Sequence, residues 1–258
     1  MKKFLLILGT LLGAMTLVFL LAGCKDQGGT ESTNIDTSSV QNNQASTGTQ
    51  DDFSATDDAK ITTDKQNRTV IMLGRSVMGG WFEHWGADDG VYIKDRFTLE
   101  YRELESPPDI VKSVEKIMKK LPAEKKDIVF FKFCFVDFAG EGSANTNLEQ
   151  NKKYIEDVYK VVVEEHRAKL IIGNALPQVM NDNDIYLVWN HQQYNAWLKE
   201  FWQQHPDDVT IFNMYKQLAS DMGALKSEYA ADEYDSHLNT KGYEALDKPF
   251  WEMMENLY

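Results

Sequence analysis

Five short apolar runs, separated by segments of helical period, constrain this chain more than any other feature. They are TVIML (69–73), FTLEY (97–101), DIVFFKFCF (127–135), AKLIIGN (168–174) and DVTIFNM (208–214). Between and after them, apolar residues recur at helical spacing. From Pro107, PDIVKSVEKIMKKL places Ile110, Val114 and Ile117 on one stripe, and NLEQNKKYIEDVYKVVVEEHRA does the same with Leu148, Ile155, Val158 and Val162. YLVWNHQQYNAWLKEFWQQH aligns Trp189, Tyr194, Trp197, Leu198 and Phe201, and TKGYEALDKPFWEMMENLY ends the chain with Tyr243, Leu246, Phe250 and Met253 on one face. This alternation predicts an α/β fold, a three-layer sandwich whose five-stranded parallel sheet carries helices on both faces. The near-continuous apolar text at 128–135 and 170–173 suits central strands covered on both sides.

The N-terminal text is of another kind. MKK, the apolar run FLLILGTLLGAMTLVFLLAG and then Cys24 have the layout of a secretory signal. LAGC resembles a bacterial lipobox, which implies a lipoprotein signal peptide over 1–23, cleavage before Cys24 and a lipid on its sulfur. That would leave the chain lipid-anchored to the cell membrane, facing the extracytoplasmic side. From Cys24 to about residue 66 the sequence is Ser, Thr, Asn, Gln, Gly and Asp with one aromatic residue, too polar to offset the entropy of ordering it. It reads as a flexible tether. Residues 67–258 then form one domain of about 190 residues.

The formal net charge of −13 argues against a nucleic-acid partner, whose phosphates call for Lys and Arg patches. With Cys24 lipidated, Cys134 has no partner for an intrachain disulfide. The five histidines, at 84, 166, 191, 205 and 237, are scattered, and no cysteine or histidine spacing suits a metal, so neither metal nor cofactor is expected.

In open α/β sheets the chemistry collects at the carboxyl ends of the strands. The first run ends in LGRSVMGGW, which puts Ser76 at the strand-to-helix turn, where helix N–H groups are aimed at developing negative charge. Gly79 and Gly80 leave room for a ligand to approach the backbone. Alone, Ser76 reads as a helix cap more readily than as a nucleophile. The far end changes that balance, because DSHLNTKGYEAL puts His237 in a loop before the last helix, with Asn239 or Thr240 able to cap it. Such a loop returns to the same sheet edge, so Ser76 and an Asp/His pair can converge across 161 positions.

Ser76 after the first strand, with His237-Leu238-Asn239-Thr240-Lys241-Gly242-Tyr243 before the last helix, resembles the SGNH/GDSL hydrolases, over about residues 69–257. A secreted branch with an SVG-type serine block and a KFCxVD strand is similar too, through Ser76-Val77 and Lys132–Asp137. The resemblance implies a flavodoxin-like fold and a serine esterase or acylhydrolase acting on a small ester or an acylated polysaccharide. It implies that Ser76 attacks, His237 carries the proton, Asp235 orients the imidazole, and N–H groups at Ser76 and near Gly79 stabilise the oxyanion.

Four positions depart from the family pattern. Arg75 stands where GDS has its aspartate. The carboxylate usually three residues before the histidine is Tyr234 here, leaving Asp235, Asp232 or Glu233 for that role. Val136 occupies the place of the asparagine donor, and YRELESPP has no glycine to supply the other donor. Ser106 is a candidate substitute for the glycine, and Asn145, Asn147 or Asn174 for the amide. Asp137 is either an anchor for the site or a residue that starts a loop.

Other polar residues have plainer readings. Cys134 is a small buried hydrophobe, and Lys132 snorkels to an edge or meets Asp137. His84 faces solvent or pairs with Glu83 or Asp88, and His191 packs in an aromatic helix. The same residues also fit a ligand-binding lipoprotein that keeps the fold without turnover.

Overall fold

The computed structural model describes residues 66–138 and 147–258. The expected leader, Cys24, the tether up to residue 65 and Asn145 lie outside the described residues. In chain order the elements are β1 (Arg68–Gly74), α1 (Ser76–His84), β2 (Val91–Lys94), β3 (Phe97–Glu103), α2 (Ile110–Lys120), β4 (Ile128–Lys132) and α3 (Leu148–Tyr159). They continue with β5 (Lys169–Gly173), α4 (Ile185–Gln204), β6 (Val209–Phe212), α5 (Met214–Leu218), β7 (Ala230–Asp232), β8 (Asp235–Leu238) and α6 (Thr240–Leu257).

The sheet has six strands in the order β2-β3-β1-β4-β5-β6, not five. The five apolar runs supply β3, β1, β4, β5 and β6, all parallel to one another. The sixth strand, β2, is an antiparallel edge paired only with β3. Its four residues VYIK alternate between exposed and half-buried, and the chain turns back through Asp95 in the left-handed region, at φ 53°. So short a strand at an edge buries too little apolar surface to show as a run.

Alternation along β1 divides the core. Val70 and Met72 join one apolar cluster with Trp81 and Phe82 of α1, Met214 of α5 and Phe250 of α6. Ile71 and Leu73 join the other with Val114 of α2, Ile155 of α3 and Leu198 of α4. The result is the expected three-layer sandwich. The five parallel strands follow the doubly wound flavodoxin order, whose topological switch point falls beside β1, between β3 and β4. Among the described residues, no helix is long and apolar enough to cross a membrane.

Candidate active site

Ser76 opens α1 directly after β1 and is exposed. Arg75 is the residue that caps this helix; its carbonyl accepts the N–H groups of Met78 at 2.7 Å and Gly79 at 3.1 Å. The N–H groups of Ser76 and Val77, at the first helical positions, have no acceptor within the helix. They are the donors left at the nucleophile. Gly79, expected to offer another, has its N–H committed to Arg75. Gly79 and Gly80 shape the site through their missing side chains instead. A Cβ on Gly79 would lie 3.4 Å from Tyr101 Oη, and one on Gly80 would run into the Tyr243 hydroxyl.

His237 does not lie in a loop. It is on β8, which pairs antiparallel with β7 in a separate two-stranded hairpin. Residues i and i+2 of a strand share a face, so Asp235 and His237 point the same way. His237 Nδ1 is 2.6 Å from Asp235 Oδ1, and the same oxygen accepts the His237 backbone N–H at 2.9 Å. These hydrogen bonds, backbone first, hold the Asp235 carboxyl below its ordinary pKa. The other two carboxylate candidates are set aside by the hairpin. Asp232 accepts the Tyr234 N–H within the turn, and Glu233 is anchored by its carbonyl, which accepts from Asn181 Nδ2.

On the other side of the ring, His237 Nε2 is 2.9 Å from Ser76 Oγ. Phe135, in the single helical turn Phe135–Asp137 after β4, packs edge-on against the imidazole at 5.2 Å. With Nδ1 donating to the carboxylate, Nε2 presents its lone pair to the serine hydroxyl.

The HLNxxG segment explains the placement of the hairpin. Asn239 caps α6 by accepting the Gly242 N–H at 3.1 Å, and its Nδ2 donates to the carbonyls of Glu228 and Ala230. A Cβ on Gly242 would lie 2.8 Å from the Tyr229 carbonyl, so only glycine lets α6 start this close. Ser236 Oγ ties β8 to the loop after β5 by accepting the Val179 N–H. His84, which the sequence sends to solvent or to Glu83 or Asp88, instead reaches α6: it lies 3.1 Å from Asp247 and stacks on Tyr243.

Ser76 and His237 open onto a cleft of about 710 Å³, also lined by Glu83, His84, Tyr101, Glu103 and Tyr243. Among the described residues, no lysine or arginine lines it. Burial, then the charges of Glu103 and Glu83, push the Tyr101 hydroxyl up to about 12. These carboxylates were legible in principle. Glu83 follows Ser76 by two helical turns, and Glu103 closes β3 at the carboxyl edge.

Four candidate binding residues are placed elsewhere. Asn174 spends its amide inside the fold, donating to Asn213 Oδ1 and accepting the Tyr215 N–H, each at 2.9 Å. It borders a different cleft, of about 740 Å³ beside β6, with Trp202 and Lys216. Asp137 is an anchor: it pairs with Arg75 and accepts the Cys134 N–H at 2.8 Å. Ser106 and Asn147 line a third cleft, of about 470 Å³, together with Arg75, Val136 and Asp137. Val136 is exposed and its side chain brings no donor, and after β3 the Leu104 and Glu105 N–H groups are bonded to Gly74 O and Ser113 Oγ. Among the described residues, no group of three His, Cys, Asp or Glu could hold a metal ion.

No protein-family model matches the chain, and no curated protein sequence does. Solved structures do. A GDSL-like lipase from Bacteroides thetaiotaomicron superposes with a TM-score of 0.54 at 14% identity, over 74% of this chain and 89% of that one. A member of the lipolytic protein G-D-S-L family from Veillonella parvula gives 0.51 at 18% identity, over 73% and 98%. At such identities the likeness is one of backbone alone. The chain has the fold of the SGNH/GDSL hydrolases.

Proposed function

We propose that the chain is a serine esterase or acylhydrolase. The observation that carries this reading is the continuous Ser76–His237–Asp235 hydrogen-bonded line, 2.9 Å and 2.6 Å long, at the edge of an open cleft. Ser76 Oγ bonds to the ester carbonyl carbon, its proton passes to His237 Nε2, and the carbonyl π pair moves onto oxygen. As the intermediate collapses, the C–O bond to the alcohol breaks and Nε2 returns the proton to the leaving oxygen. Water repeats the sequence on the acyl-enzyme. Asp235 keeps the proton on Nδ1 and stabilises the imidazolium.

The cleft narrows the substrate. Glu83 and Glu103 line it with no lysine or arginine among the described residues, which disfavours anionic acyl groups and suits short neutral ones such as acetyl. The MKK leader and LAGC support a lipoprotein anchored through Cys24, held by its tether at the outer face of the cell membrane. An O-acetylated surface polysaccharide meets both conditions. Hydrolysis of p-nitrophenyl acetate tests the chemistry: Ser76→Ala should abolish it while thermal unfolding stays unchanged, and equal activity in that variant refutes the assignment.

Val136, in the place of the asparagine donor, favours a second reading. On it, the domain binds an acylated glycan without turning it over. Binding of such a glycan by a chain that shows no esterase activity would select it.

A further inference from the structure

The hydrolase reading leaves the oxyanion short of donors. Val136 has no side-chain donor, the N–H groups of Leu104 and Glu105 are bonded elsewhere, and Gly79 N–H is committed to Arg75 O. One strongly charged donor adjoins Ser76 in the chain and is held in place from the turn after β4. Arg75 extends to Asp137, and two residues before Asp137 the Phe135 ring lies against His237. The guanidinium thus belongs to the residue preceding the nucleophile and is held by the turn that contacts the base.

Its partner is well fixed. The Asp137 side chain is 4% exposed, also accepts the Cys134 N–H, and its backbone carbonyl accepts Asn151 Nδ2 at 3.0 Å. The pairing uses Arg75 Nη2. Among the described residues Arg75 Nε is buried without an acceptor, while the side chain as a whole is 18% exposed and lines a cleft with Ser106 and Val136. Guanidinium presents five N–H donors, and one carboxylate does not exhaust them.

Resting on the hydrolase reading, we propose that Arg75 is a catalytic residue whose guanidinium donates to the oxyanion, in place of the missing asparagine and glycine donors. When the Ser76 Oγ–carbon bond forms and the carbonyl π pair localises on oxygen, the guanidinium and the Ser76 and Val77 N–H groups receive that charge. Asp137, which touches no substrate, is a positioning residue for Arg75.

The test compares wild type, Arg75→Ala and the double variant Arg75→Ala/Asp137→Asn, which leaves no unpaired buried carboxylate to disturb folding. The readouts are kcat and KM for p-nitrophenyl acetate and rescue by guanidinium chloride well below denaturing concentrations. Expected is a fall in kcat of about 10²–10³ in both variants with KM nearly unchanged, and partial recovery with guanidinium but not with sodium chloride. A double variant that is folded and within about threefold of wild-type kcat overturns the proposal, as does a loss seen only in KM or unmoved by guanidinium. A folded wild-type chain without turnover defeats the hydrolase reading, and this inference with it. An active wild type beside an equally active Arg75→Ala defeats this inference alone.

Discussion

Replacing Lys132 with methionine should stabilise the fold at neutral pH. Lys132 ends β4 opposite Gly173 and is 1% exposed, and its ammonium donates one hydrogen bond, to Phe133 O at 3.3 Å. Burial is the largest influence on it and draws its pKa from 10.5 down to about 8. At about 1.36 kcal/mol per decade, holding the charge there costs the folded state about 3 kcal/mol. Methionine has similar length and no charge, and the loss of the Phe133 hydrogen bond subtracts about 1 kcal/mol. The net gain of about 2 kcal/mol at pH 7 corresponds to a rise in Tm of about 4–8 °C for a domain of this size.

The pH dependence carries a definite sign. Below pH 8 both folded and unfolded states hold the Lys132 proton, and the wild type bears the full cost. Between about pH 8 and 10.5 the folded lysine is neutral while the unfolded one is still charged, so wild-type stability rises with pH. The advantage of Lys132→Met should therefore shrink across that window. Thermal unfolding of both proteins at pH 7, 8.5 and 10 measures it. A variant less stable than wild type at pH 7, or an advantage independent of pH, would refute the reasoning.

Two further predictions concern the cleft. Gly80→Ala pushes a methyl into the Tyr243 hydroxyl and should cost about 1–3 kcal/mol in denaturant unfolding. Gly79→Ala meets Tyr101 only at ordinary contact, so helix propensity should leave it neutral or slightly stabilising, by up to about 1 kcal/mol. Asp235→Asn should lower kcat by about 10²–10⁴ in ester hydrolysis, while Asp232→Asn stays within about twofold of wild type. The reverse pattern would move the orienting role to the hairpin turn.

The five parallel strands and the two helix layers are legible in the sequence because each rests on a long apolar period. Strand β2 is not, since VYIK at an edge buries little. The β7–β8 hairpin is hidden for a related reason: AADEYDSHL is mostly polar, and its two strands pair only with each other. That omission had a chemical consequence. In a loop, a carboxylate two residues before His237 looks misplaced; on a strand, the two-residue spacing brings it to the same face. Asn174 shows the opposite error, because the carboxyl-edge rule names the strand end but not the partner its amide prefers, which is Asn213. Arg75 and Asp137 are readable singly, and only the fold shows them as a pair.

The most direct measurement is covalent labelling with a fluorophosphonate, followed by intact mass and peptide mapping. The Ser76–His237–Asp235 assignment predicts one phosphonyl group on wild type, located on Ser76, and none on Ser76→Ala. A folded wild-type chain that stays unlabelled, or a label that persists in Ser76→Ala, would contradict it.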